Sequence, residues 1–83
     1  MKHGDAQILA LDLGTSGAKV AVFDAGGRVL ATAFRPTLLR LLPGGGAEQD
    51  PAEWWEALVG ASQECLQSSA VERSRIEIGR AHV

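Results

Sequence analysis

Two apolar runs, Ile8–Leu13 and Ala18–Phe23, are separated only by Gly14-Thr15-Ser16-Gly17. A connection that short joins antiparallel neighbours, because a parallel pair needs a crossover of about a dozen residues or more. The spacing predicts a hairpin with one strand over Gln7–Leu13 and the next over Ala18–Phe23. The first is nearly all apolar, as expected for a strand covered on both faces. The second is rich in β-branched and aromatic residues. Asp24-Ala25-Gly26-Gly27 reads as a turn whose glycines can take positive φ. Arg28–Phe34 is then a third strand, giving an antiparallel three-stranded meander.

The hairpin loop carries chemistry as well as geometry. Asp12 ends an otherwise apolar strand, where an unpaired carboxylate is costly to bury. Gly14, Thr15, Ser16 and Gly17 follow it, and Lys19 lies just inside the next strand. Glycines let a backbone approach phosphate oxygens, and successive N–H groups can form an anion-binding nest. The hydroxyls of Thr15 and Ser16 add donors, and Lys19 can neutralise phosphate charge. Asp12 can hold Mg²⁺, through water, since that ion keeps much of its hydration shell. The plainer alternative is a turn and nothing more, because Gly and Ser between strands commonly mean only that. Asp12 and Lys19 favour the phosphate reading.

Arg35–Gly46 is expected to be irregular: Pro36 and Pro43 limit pairing, and Gly44-Gly45-Gly46 is flexible. The apolar Leu38-Leu39-Arg40-Leu41-Leu42 cluster has no clear period and reads as a short edge strand or a buried loop. Asp50-Pro51-Ala52-Glu53 is a helix start, with Asp50 as N-cap and Pro51 at the first helical position. The helix is expected to run to about Ser68. Trp54, Trp55, Leu58, Val59, Ser62, Cys65 and Leu66 recur at helical spacing, so this face is expected to pack on the core. A sugar-stacking role for the tryptophans is the alternative. Glu48, Gln49 and Asp50 are candidate substrate contacts, although capping already accounts for Asp50.

The chain has 83 residues, enough for one small domain. A chain of that size buries only about 60–65% of its unfolded surface. The net charge is −2 and the basic residues do not gather on one segment, which argues against a nucleic-acid partner. No apolar run is long enough to span a membrane and no signal-peptide pattern is present, so a cytoplasmic location without membrane association is expected. One cysteine, Cys65, precludes an internal disulfide and reads as a helix packing residue. His3 and His82 have no ligand-spaced partners for a metal.

ILALDLGTSGAKVAVFD, Ile8–Asp24, resembles the N-terminal phosphate motif of the FGGY carbohydrate kinases, which belong to the actin, heat-shock chaperone and hexokinase-like superfamily. GGGAEQDPAEWWEAL, Gly44–Leu58, resembles the segment after the first three strands in xylulokinase-type and gluconokinase-type members. The resemblance covers Ile8 to about Leu66. It implies an α/β fold of the ribonuclease H-like (actin-like ATPase) type. Residues 1–76 would form the N-terminal portion of the first domain: an antiparallel three-stranded meander followed by a helix, then a fourth strand opening at Ile76. It implies ATP-dependent phosphorylation of a sugar or polyol hydroxyl, in which a base deprotonates the hydroxyl that attacks the γ-phosphate. Such catalysis rests mostly on positioning and charge stabilisation.

Carried onto this sequence, the resemblance gives ATP and Mg²⁺ as cofactors. Asp12 would organise Mg²⁺, and Gly14, Thr15, Ser16 and Gly17 would contact phosphates. Lys19 stands where some relatives carry arginine; a lysine there keeps the charge but loses the bidentate fork. The family's catalytic aspartate comes much later in the chain, so no catalytic residue is expected here and the 83 residues alone are expected to be inactive. Two other readings stay open: a non-kinase actin-like or chaperone-like ATP-binding module, and a non-functional truncated fragment.

Glu77–Val83, EIGRAHV, back-translates as GAG ATC GGA AGA GCA CAC GTC, the start of a common sequencing adapter. Residues 77–83 are therefore expected to be an adapter-derived tail. Three of the eight basic residues, Arg73, Arg75 and Arg80, crowd this end. A natural polar C-terminus is the alternative.

Overall fold

The computed structural model describes residues 5–80, the side chains of 78–80 excepted. His3, His82 and the last three tail residues lie outside the described residues. Strand β1 is Gln7–Leu13 and β2 is Gly17–Asp24, paired antiparallel with Leu9 opposite Val22 and Asp12 opposite Lys19. Strand β3 is Val29–Pro36, one residue later at its start and two at its end than the sequence pattern predicts. It pairs antiparallel with β2 through a bulge between Val22 and Phe23. The turn between them is closed by Asp24, whose Oδ1 accepts from the N–H groups of Gly26 and Arg28, both at 2.9 Å. Gly27 there takes φ 90°, a conformation that disfavours any side chain.

The Leu38–Leu42 cluster is neither buried nor part of the main sheet. Strands β4 (Arg40–Leu41) and β5 (Ala47–Glu48) form a separate small hairpin. Its turn uses positive φ at Gly44 and Gly45, and Leu41 is 80% exposed. Helix α1 is Pro51–Leu66, two residues shorter than expected. A 3-10 turn at Arg73–Arg75 leads into β6, Ile76–Arg80, which lies parallel to β1. The main sheet has the order β3-β2-β1-β6. The fourth strand thus opens at Ile76 as expected and runs on across the 76/77 boundary.

The core lies between one face of this sheet and α1. Leu9, Val20, Val22 and Ala33 supply the sheet side; Ala61 and Cys65 supply the helix side, with Val71 closing one end. Burial of a valine side chain stabilises by roughly 1.5–3 kcal/mol. The helix presents Ala57, Ala61 and Cys65, spaced one turn apart, as its buried line. These small residues let α1 lie close to β2, near enough for the Cys65 thiol to reach the Val20 carbonyl at 3.5 Å. That close approach displaces the tryptophans from the centre of the contact: Trp54 is half-buried and Trp55 is 66% exposed. The opposite sheet face is uncovered among the described residues, with Ile8 and Phe34 exposed. Strand β1 is thus covered on one face only, contrary to its run of apolar residues.

Candidate phosphate-binding site

The β1–β2 hairpin loop brings the predicted residues together. Gly14, Thr15 and Ser16 form the exposed tip between the strands. The Gly14 N–H donates to the Gly17 carbonyl at 3.0 Å, closing the turn. Asp12 and Lys19 stand directly opposite each other across the ladder. Side chains alternate along a strand, so both project from the uncovered sheet face, with Phe34 beside Lys19 in the same row. A carboxylate and an ammonium therefore flank the mouth of the loop on one side.

Two glycines in this loop serve different ends. A side chain at Gly17 would collide with β3: its Cβ would lie 2.3 Å from the Arg35 carbonyl oxygen and 2.8 Å from Pro36 Cα. Gly17 is therefore required by the packing of one strand across another. A Cβ at Gly14 would meet nothing within 4 Å. The fold leaves open space there, which is what a group docking on the loop needs.

The loop is fastened from behind through its carbonyls. The Ser16 carbonyl accepts from the Thr37 N–H at 3.1 Å. The Thr15 carbonyl accepts from Gln49 Nε2 at 2.9 Å. In a trans peptide the C=O and the next N–H point in opposite directions. Holding the Thr15 carbonyl against Gln49 therefore turns the Ser16 N–H outward. Among the described residues the N–H groups of Thr15 and Ser16 have no acceptor. Two backbone donors without a protein acceptor, in a loop followed by Lys19, are a candidate site for an anion.

Mg²⁺ is usually held by one or two carboxylates together with phosphate oxygens and water. Asp12 fits that demand: it is half-buried, and its carboxylate has no protein partner among the described residues. No cluster of three His, Cys, Asp or Glu side chains exists among the described residues. Gln49 is the contributor whose place in the site sequence reasoning missed. It stands out in sequence only as a candidate substrate contact, whereas its amide faces the loop. It also lines an open pocket of about 280 Å³ with Arg40, Glu48, Asp50 and Pro51.

The chain also matches known proteins. The N-terminal domain of the FGGY family of carbohydrate kinases matches residues 7–79, nearly the whole described chain. The chain belongs to the FGGY family. It is 39% identical over 69 residues to a glycerol kinase of Methylibium petroleiphilum, covering 83% of this chain and 14% of that one. It is 36% identical over 73 residues to a xylulose kinase of Streptomyces rubiginosus, covering 87% and 15% respectively. A glycerol kinase of Acinetobacter baylyi is 36% identical over 64 residues, 77% of this chain and 13% of that one. The chain thus spans about one seventh of the length of these FGGY relatives. As in an FGGY N-terminal domain of the α/β, actin-like type, the β3-β2-β1 meander precedes α1. No helix among the described residues is long and apolar enough to cross a membrane.

Proposed function

We propose that this chain is the opening of the first domain of an ATP-dependent sugar or polyol kinase, and that it supplies the first phosphate-binding loop. The observation that carries the reading is the pair of N–H groups at Thr15 and Ser16 left without an acceptor among the described residues, in a loop flanked by Asp12 and Lys19 in a chain of the FGGY family. Gly14, Thr15, Ser16 and Gly17 would lie against phosphate oxygens, Lys19 would balance their charge, and Asp12 would hold the water shell of Mg²⁺. When bound, Mg²⁺ neutralises charge on the phosphates. These six residues would bind and orient, and none of them is assigned the proton of a substrate hydroxyl.

The isolated chain is therefore inactive. A coupled ADP-release assay with a panel of pentuloses and polyols checks this, with Asp12→Ala as control. Turnover above that control overturns the reading of an inactive fragment. Titrating the chain with Mg²⁺ and ATP while following the Thr15 and Ser16 amide signals tests the loop itself: unchanged signals would sink its phosphate role. The adapter origin of residues 77–83 belongs to the same proposal. The ladder between β1 and β6 is made by backbone groups, so many sequences can occupy it, and resequencing the locus across the Ile76 codon decides the matter.

A further inference from the structure

We infer that Gln49 is a positioning residue of the phosphate loop: its side-chain amide sets the orientation of the Thr15–Ser16 peptide and so aims the Ser16 N–H at the ligand. The inference rests on the phosphate-loop reading above. Its structural basis is the hydrogen bond from Gln49 Nε2 to the Thr15 carbonyl at 2.9 Å, spanning 34 positions of sequence.

Three observations make this contact more than incidental. The loop tip is exposed and contributes no side chain to the core, so packing does not fix it. Its fastening comes from the turn bond between Gly14 and Gly17, the Thr37 N–H on the Ser16 carbonyl, and Gln49 on the Thr15 carbonyl. Of these, Gln49 alone acts through a side chain and bears on the peptide whose N–H belongs to Ser16. Gln49 is itself held, because the next residue is the N-cap of α1. Asp50 Oδ1 accepts from the Ala52 N–H at 2.9 Å, and its backbone is extended at φ −83°, ψ 119°. The helix start thus acts as a fixed post, and Gln49 is the strut from that post to the loop.

A glutamine suits the task. Its amide donates without carrying charge, so it holds a carbonyl without competing electrostatically with a bound phosphate. Glutamate at the same position would set a carboxylate against the Thr15 carbonyl and repel both the loop and the ligand.

The test uses the chain with inorganic tripolyphosphate and Mg²⁺ as probe, read by calorimetry and by the ¹⁵N amide spectrum. Gln49→Met keeps the volume and removes the donor. It is expected to weaken tripolyphosphate binding about tenfold, the equivalent of one hydrogen bond of about 1.4 kcal/mol. It is also expected to shift the Ser16 amide in the free protein while leaving the far-UV spectrum and melting temperature unchanged. Gln49→Glu is expected to weaken binding further. Lys19→Ala, tested in parallel, separates the two readings. If Lys19→Ala weakens binding and Gln49→Met does not, the loop binds phosphate and Gln49 does not position it. If neither variant affects binding, the phosphate reading fails, and the Ser16 shift alone reports whether Gln49 orders the loop. A Ser16 amide unmoved by Gln49→Met, or a chain in which Gln49 and Thr15 show no mutual contact, overturns the inference.

Discussion

At Gly17 the packing of β3 across the hairpin leaves no room for a side chain, whereas at Gly14 there is room to spare. The two positions should therefore respond oppositely to the same change. Gly17→Ala is expected to cost on the order of 3 kcal/mol, because the obstacle is backbone and cannot swing aside. In a chain this small that lowers the melting temperature by roughly 12 °C or more, or unfolds it. Gly14→Ala is expected to change stability by less than about 0.5 kcal/mol yet to weaken phosphate binding, since its methyl group enters the open space. Thermal melts paired with tripolyphosphate titrations check both. Cys65 offers a second test. Burial, reinforced by the negative charge of Glu64, raises its pKa above the ordinary thiol value. The folded chain thus holds the thiol proton more tightly than the unfolded one. That contribution is complete below about pH 8.5, the ordinary thiol pKa, and is lost as pH climbs through the raised value. The stability gap between wild type and Cys65→Ala, measured by urea unfolding, should narrow from pH 8 to pH 10.

The elements differ in how openly the sequence displays them. The β1–β2 hairpin and the start of α1 were legible because local chemistry decides them: glycines in a short connection, and Asp50 followed by Pro51. The cap gives an element-level prediction. Asp50→Ala is expected to cost about 1 kcal/mol, a loss of roughly 4–8 °C in melting temperature, and to loosen Gln49 with it. Circular dichroism melts read the first effect and the Ser16 amide the second. The face that α1 turns to the sheet was legible only in part: Cys65, Leu58 and Leu66 of the expected stripe do pack on the core. The same stripe also ran through Trp54 and Trp55, whereas close packing on β2 selects small residues, and Ala57 and Ala61, which periodicity passed over, join Cys65 as the buried line. Gly60 belongs to the same arrangement: a Cβ there would lie 3.2 Å from Arg35 Nε. Its absence lets the arginine lie over the helix and pair with Glu64. That ion pair has side chains 43% and 50% exposed, so it orients β3 against α1 more than it stabilises it. The Gln49 strut was hidden for a related reason, since Thr15 and Gln49 are 34 positions apart and nothing local announces their meeting.

On the scale of the whole molecule, the chain is extended for its size. Its radius of gyration is 15.0 Å, against about 12 Å for a compact chain of this length. Its accessible surface is 5860 Å², against roughly 4,700 Å² for a compact protein of 8.7 kDa. Apolar side chains are among what is exposed: Phe34 and Ile8 on the uncovered sheet face, and Leu38, Leu41 and Leu42 in and beside the β4–β5 hairpin. Apolar surface gathered in this way favours self-association. The sheet's edges add to it. Among the described residues β3 and β6 are the two outer strands of the sheet, and β6 pairs Ile76–Arg80 with Gln7–Leu11 of β1. Shortening the chain at Arg75 exchanges the outer edge of β6, which carries Glu77 and Arg80, for that of β1, whose Ile8–Leu11 run is longer in apolar residues and uncharged and so the better template for another strand. Sedimentation velocity across a concentration series should therefore show a steeper rise in apparent mass for the shortened chain than for the full one. Charged substitutions on the uncovered face, Ile8→Lys with Phe34→Glu, should flatten that rise in the full chain, because they act on the apolar face and leave the β6 ladder intact. Equal association in all three proteins would mean that neither the edge nor the face drives assembly, and the β4–β5 leucines would then be the surface to change.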